Sequence, residues 1–219
     1  MKLLGIEMSR VTALFQATRP KGQFYRPYFA AKVAERYRFG SAPQTIAELE
    51  RPKIEFRHGL FEDSAIETFE VYNDGIIVTS RSDTDFIDAF IDDLATWLTN
   101  DHGLFIIETH TVRQMYDSSL LVETDRNVFQ PFESYAEILK LIEKSLKESS
   151  GLGVEFQNYG FTLAADQTQI SAMKPNLFRL ERKEGIEFSR HQLYSTAPLK
   201  TKQHLDILDR LEQLMPDQF

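Results

Sequence analysis

The hydrophobic positions of this 219-residue chain repeat at two different periods, and the change from one to the other marks the elements. From Lys53 the period is two: Ile54, Phe56 and His58 alternate with Glu55 and Arg57, the pattern of a half-buried strand. Phe69–Tyr72 and Ile76–Thr79 flank Asn73-Asp74-Gly75, so a hairpin turning at Asp-Gly is expected there. The period then lengthens. Phe86, Ile87, Phe90, Ile91, Leu94, Trp97 and Leu98 make a helical stripe, with Ser82 or Asp83 as N-cap and Gly103 as stop. Leu104–Val112 predicts a strand, Tyr116–Ser119 a turn and Leu120–Thr124 the returning strand.

Pro131 opens a second helix with Phe132, Tyr135, Ile138, Leu139, Ile142 and Leu146 on one face, and Ser149-Ser150-Gly151 ends it. A strand at 153–164 and a hairpin at 177–189 follow, turning at Lys183-Glu184-Gly185. Pro198 opens a last helix, with Leu205, Leu208, Leu211 and Leu214 on its face. Upstream of these elements, Leu3–Thr18 has strand-like residues but no clear period, Pro27–Tyr37 reads as a helix, and Thr45–Glu50 as one helical turn. The order predicts an α+β fold: a mainly antiparallel sheet built from hairpins, with three amphipathic helices packed on it.

Ile54–Phe61 is loosely echoed by Val154–Phe161, and each copy precedes a charged hairpin and an amphipathic helix. An internal pseudo-duplication is the corresponding expectation. It would relate the two units by an approximate two-fold axis, and would fail if the two hairpins paired with unrelated strands. No Ser/Gly/Pro-rich linker divides the chain, so a single compact domain over 1–219 is expected, with possible halves at 1–130 and 131–219.

Composition changes this picture mainly by exclusion. Without cysteine there is no disulfide, thiolate catalysis or Cys-ligated metal, which fits a cytoplasmic protein. Neither a signal-like apolar run at the start nor an 18-residue apolar stretch occurs, so no membrane partner is expected. Phosphate-loop, nucleophile-elbow and His-Glu-x-x-His patterns are missing as well. Seventeen Phe and eight Tyr point to aromatic packing in a core or an interface.

Charge is distributed unevenly. The net −8 conceals a balance of +6 over residues 1–57 and −14 over the remainder, and no Lys or Arg lies between Arg81 and Arg113. Arg19, Lys21, Arg26, Arg36 and Arg38 interleave with Tyr28 and Tyr37, a composition suited to protein interfaces or to phosphate contacts. Asp85, Asp88 and Asp92 share one helix face with Asp93 beside them, an acidic surface on which such a basic segment of a neighbour would dock. Hard oxygen ligands at that spacing also suit Mg²⁺ or Ca²⁺. First-turn Asp residues, however, complement the helix dipole, so no metal and no cofactor is assigned.

Five histidines are present, and His58, His110 and His191 stand out, His110 beside Glu108 and the other two near the echoed hairpins. The function these features favour is a non-enzymatic cytosolic interaction protein that self-associates or joins a larger complex. The alternatives are a metal- or histidine-dependent hydrolase or nuclease, and an accessory factor binding nucleic acid through the basic N-terminal segment.

Overall fold

The computed structural model describes residues 1–18, 26–103, 105–107, 113–170 and 173–215. The first half of the chain forms strand β1 (Lys2–Leu14), short strand β2 (Gln16–Thr18), helix α1 (Arg26–Arg36), one-turn helix α2 (Ile46–Leu49), strands β3 (Ile54–Phe61), β4 (Ser64–Val71) and β5 (Gly75–Ser80), helix α3 (Thr84–His102) and short strand β6 (Phe105–Ile107). The second half forms strand β7 (Arg113–Glu123), helix α4 (Ala136–Ser150), strands β8 (Gly160–Leu163), β9 (Phe178–Arg182) and β10 (Gln192–Ala197), and helix α5 (Thr201–Gln213). The fold is α+β, with five helices among the described residues.

Eight strands form one antiparallel sheet in the order β3-β4-β5-β1-β7-β10-β9-β8. This order is a palindrome. Each half contributes a long inner strand (β1 or β7) and a three-stranded meander that folds outward from it. The register is palindromic too. Ser9 pairs with Ser118 across the centre, Ser9 pairs outward with Ser80, and Ser118 pairs outward with Ala197. Four residues beyond those outer partners, α3 starts at Thr84 and α5 at Thr201. The two hairpins therefore pair with corresponding strands, as an approximate two-fold requires, and the topological midpoint falls between β6 and β7.

The helix starts meet on that axis. The Thr84 N–H donates to Thr201 Oγ1 at 3.1 Å and the Thr201 N–H donates to Thr84 Oγ1 at 3.0 Å. First-turn N–H groups have no intrahelical acceptor, so each helix satisfies an orphan donor of the other. Around this contact runs a buried polar seam of Ser9, Ser118, Ser195, Thr201 and His204. Two apolar cores flank it. One packs Phe56, Phe69, Phe90 and Ile87 of the first half, and the other packs Leu120, Leu180, Leu193 and Leu208 of the second.

Local chemistry explains the helix limits. Asp83 caps α3 by accepting the Phe86 N–H at 2.8 Å. Gly103 and Gly151 end α3 and α4 in the left-handed conformation, at φ of 57° and 74°, which glycine adopts without Cβ strain. Gly75, which closes the β4–β5 turn, meets a different demand: a Cβ there would lie 2.3 Å from the Ala13 carbonyl oxygen.

Several expectations are corrected. Tyr116–Ser119 is the middle of β7 and not a turn, because Ser118 is held by His204 and Asp117 by Asn176. The strand expected over 153–164 is confined to 160–163. The second hairpin returns at Gln192, since Phe188–Arg190 forms a short 3₁₀ turn. Pairing aligns Phe161 opposite Leu180 as Phe56 lies opposite Phe69, so the unit repeats with Phe161 at the place of Phe56. The echo at Val154–Phe156 is thus five residues out of register. Leu214 lies past the end of α5 and is exposed; the buried stripe is Thr201, His204 and Leu208, with Met215 beyond. Finally, the helices number five among the described residues, and α4, unlike α3 and α5, buries no residue fully.

Candidate interaction surface

The two charged segments read from the sequence meet partly inside the chain. The Arg36 guanidinium donates to both Asp93 carboxylate oxygens, Nη2 at 2.9 and 3.0 Å and Nε at 3.3 Å. Its charge also lies 5.1 Å from the centre of the Trp97 ring. Tyr37 is buried and donates its hydroxyl to Asp93 at 2.7 Å; burial first, and then Asp93, push its pKa up. Asp88 accepts from Lys200 at 2.6 Å and from the Tyr116 hydroxyl at 3.2 Å, and this bond to Asp88 raises the Lys200 pKa. Arg36 and Tyr37 are thus tied to Asp93, while Asp88 is tied to the opposite half of the fold.

The remaining members are dispersed. Asp85 and Asp92 face outward on α3, Asp85 lying 3.9 Å from Lys200. Tyr28 is exposed, its ring edge-on to His102 at 6.2 Å. Arg38 is exposed at a left-handed φ of 49°. Arg26 is the first residue of α1. Arg19, Lys21, Glu108 and His110 lie outside the described residues. No group of three His, Asp or Glu side chains among the described residues is placed to hold a metal ion.

Two of the singled-out histidines have conformational places. His58 sits on β3 at φ 56°, between the Arg57–Thr68 and Gly59–Ile66 pairs, and the register of β3 with β4 runs unshifted across it. His191, at φ 52°, ends the 3₁₀ turn before β10. Histidine is among the side chains that enter this region more readily than most.

His204 is the histidine with the most distinctive surroundings. It has no exposed surface, with Nδ1 2.7 Å from Ser118 Oγ and Nε2 2.8 Å from Ser195 Oγ. Because Ser195 donates its hydroxyl to the Arg179 carbonyl at 2.9 Å, it accepts from Nε2–H; Nδ1 then accepts from Ser118. Burial pushes the pKa down to about 4, so the ring is neutral at neutral pH. A Ser–His pair at this distance is also what a nucleophile needs. Here Ser118 is 1% exposed and a second serine occupies the other nitrogen, which makes the pair part of the seam that joins the halves. The signal in the sequence is its spacing from Leu208, Leu211 and Met215 at i+4, i+7 and i+11.

An open depression lies between α2 and β3, lined by Glu48, Arg51, Lys53 and Glu55. Lys53 contacts Glu55 there at 2.8 Å, and Glu48 accepts from the Gln44 and Thr45 N–H groups in a capping box.

The surface with an unmatched apolar demand is α4. Ile138, Leu141 and Ile142 are exposed along it, Leu141 by 63%, and Tyr135 is exposed just before its first residue. Residues 151–159 run beside the helix, tied by the Phe156 N–H donating to Glu143 Oε1 at 2.7 Å and by Asn158 Nδ2 donating to the Phe132 carbonyl at 3.2 Å. They add Leu152, Val154, Phe156 and Tyr159 to the same exposed set. Nine of the eighteen exposed large hydrophobics among the described residues fall within residues 135–163, so exposure is concentrated and not scattered.

The internal repeat makes the contrast explicit. Helix α1 occupies the same topological place in the first half, between the long strand and the meander, and buries Ala30 and Val33. Phe29 stacks on Trp97 of α3 at 6.4 Å, and Tyr37 meets Phe90 at 4.8 Å. Helix α4 has no fully buried residue to match them. No helix among the described residues is long and apolar enough to cross a membrane. No protein-family model matches this chain, and no curated protein matches it.

Proposed function

We propose that this chain is a non-enzymatic, cytoplasmic interaction protein, acting as one domain, that docks a protein through α4 and the adjoining 151–159 segment. The observation that supports this most directly is an amphipathic helix with no buried residue, whose counterpart α1 is packed down. An apolar stripe left in water costs about 25 cal/mol per Å², which association recovers. The polar side groups elsewhere support the same reading. Asp93, Asp88 and His204 each have partners within the chain, which suits a structural role for them.

The test replaces Ile138, Leu141 and Ile142 together by serine, after checking by circular dichroism that the fold is retained. The full chain and the triple variant are then compared for mass in solution and for proteins retained from cells of origin. A binding event present for the full chain and lost in the variant is the expected result. Identical mass and identical retention would remove α4 as a docking surface.

A further inference from the structure

We infer that the occupant of the α4 face is α4 of a second copy of this chain, packed antiparallel about a two-fold axis near residue 140. This rests on the proposed docking role of α4 and names its partner. The inference starts from charge. Helix α4 (136–150) carries Glu137, Glu143 and Glu148 against Lys140, Lys144 and Lys147, a net charge of zero within a chain of net −8. Two like-charged copies meet with least repulsion where each is neutral.

Position along the helix sets the direction of packing. Glu137 and Lys144 are seven residues apart and flank Leu141 on one side of the exposed stripe. In an antiparallel pair the flank of one helix meets its own inverted copy. A dyad midway between 137 and 144 places each Glu137 beside Lys144 of the second copy. The same offset, within one residue, sets Ile138 against Ile142 and brings Leu141 to its own copy at the axis. Tyr135 then falls opposite Ser145, a small residue that leaves room for the ring. A parallel pair would instead set this flank against the opposite flank of the second copy, so Glu137 and Lys144 would not meet.

Within its own chain Lys144 reaches Glu148 at 3.8 Å, with both side chains about two-thirds or more exposed. That spacing leaves the ammonium hydrated and able to take a second carboxylate. Both apolar and charged features of α4 are therefore self-complementary in one orientation.

Sedimentation equilibrium of the full chain across the micromolar range, at low and high salt, tests the inference. The expected result is a monomer–dimer equilibrium that weakens with salt. Glu137→Lys and Lys144→Glu should each weaken dimerisation about tenfold, since two pairs per dimer turn repulsive. An equimolar mixture of the two single variants should recover the dimer, as should the double variant E137K/K144E, because each restores opposite charges across the axis. A full chain that stays monomeric, or a dimer indifferent to these swaps, overturns the antiparallel pairing. If the chain is monomeric while the serine triple variant still loses a different bound protein, the docking role of α4 stands and the second copy is rejected. If neither behaviour depends on α4, both fall.

Discussion

Lowering the pH through the titration of His204 should unfasten the seam between the two halves. The ring is fully buried and neutral, hydrogen-bonded by Ser118 and Ser195, and burial pushes its pKa down to about 4 from an ordinary 6.5. Between those values the unfolded chain binds a proton that the folded one refuses. The stability from this group is therefore fully present above about pH 6.5 and lost as pH falls toward 4. A shift of this size corresponds to about 3 kcal/mol, a large share of a typical domain's 5 to 15. The steepest slope from one such group is about 1.4 kcal/mol per pH unit. Urea denaturation at half-unit steps from pH 7.5 to 4.5, on the wild type and on His204→Leu, measures it. Burial pushes the Glu212 pKa up, but the N-terminal ammonium and Thr124 together outweigh it and hold the carboxyl low, so its contribution is lost at lower pH; Asp117, raised by burial, has the opposite sign. Both are common to the two proteins and cancel in the difference. Leucine lowers stability at pH 7.5, because Ser118 loses its acceptor, and also removes the slope. Parallel pH profiles for the two proteins would refute the buried neutral imidazole.

Other outcomes follow from the same contacts. Thr84→Val and Thr201→Val should each cost about 1 to 3 kcal/mol by leaving a helix N–H unsatisfied in the interior, measured by urea denaturation; additivity of the two in the double variant would count against reciprocal capping. Gly75→Ala should destabilise by about 2 kcal/mol or more, because its Cβ would press on the Ala13 carbonyl at 2.3 Å and the backbone must move. A neutral result in thermal unfolding would place the β1–β5 contact wrongly. Asp93→Asn should release Arg36 and Tyr37 and cost about 1 to 2 kcal/mol, with hydrogen exchange rising at the end of α1 and not in β7.

The elements with one dominant local signal were legible in the sequence. The apolar stripe of α3, its Asp83 cap and its Gly103 stop, and the Asn73-Asp74-Gly75 hairpin all stand where the pattern puts them. Each depends on neighbours within one or two turns of chain. The centre of β7 was not legible, because Tyr116-Asp117-Ser118-Ser119 has the composition of a turn and becomes a strand only through Asn176, His204 and the pairing with β1. The hydrophobic stripe of α4 was legible as a helix but not as an unpacked one. Amphipathicity states that a face needs cover; it does not state where the cover comes from.

The same division holds for the candidate site. Charge polarity named Arg36, Tyr37, Asp88 and Asp93, and long-range packing made them partners within one chain, since Asp93 is 57 residues from Arg36 and Asp88 is 112 from Lys200. The chain's own pattern carried the α+β class and the helix ends at Asp83, Gly103 and Gly151, all products of local periodicity and turn chemistry. Only the tertiary structure decided the palindromic sheet, the reciprocal threonines, the burial of His204 and the exposure of α4. Those depend on which distant segments exclude water from one another, and a pattern of apolar positions carries no record of its partner.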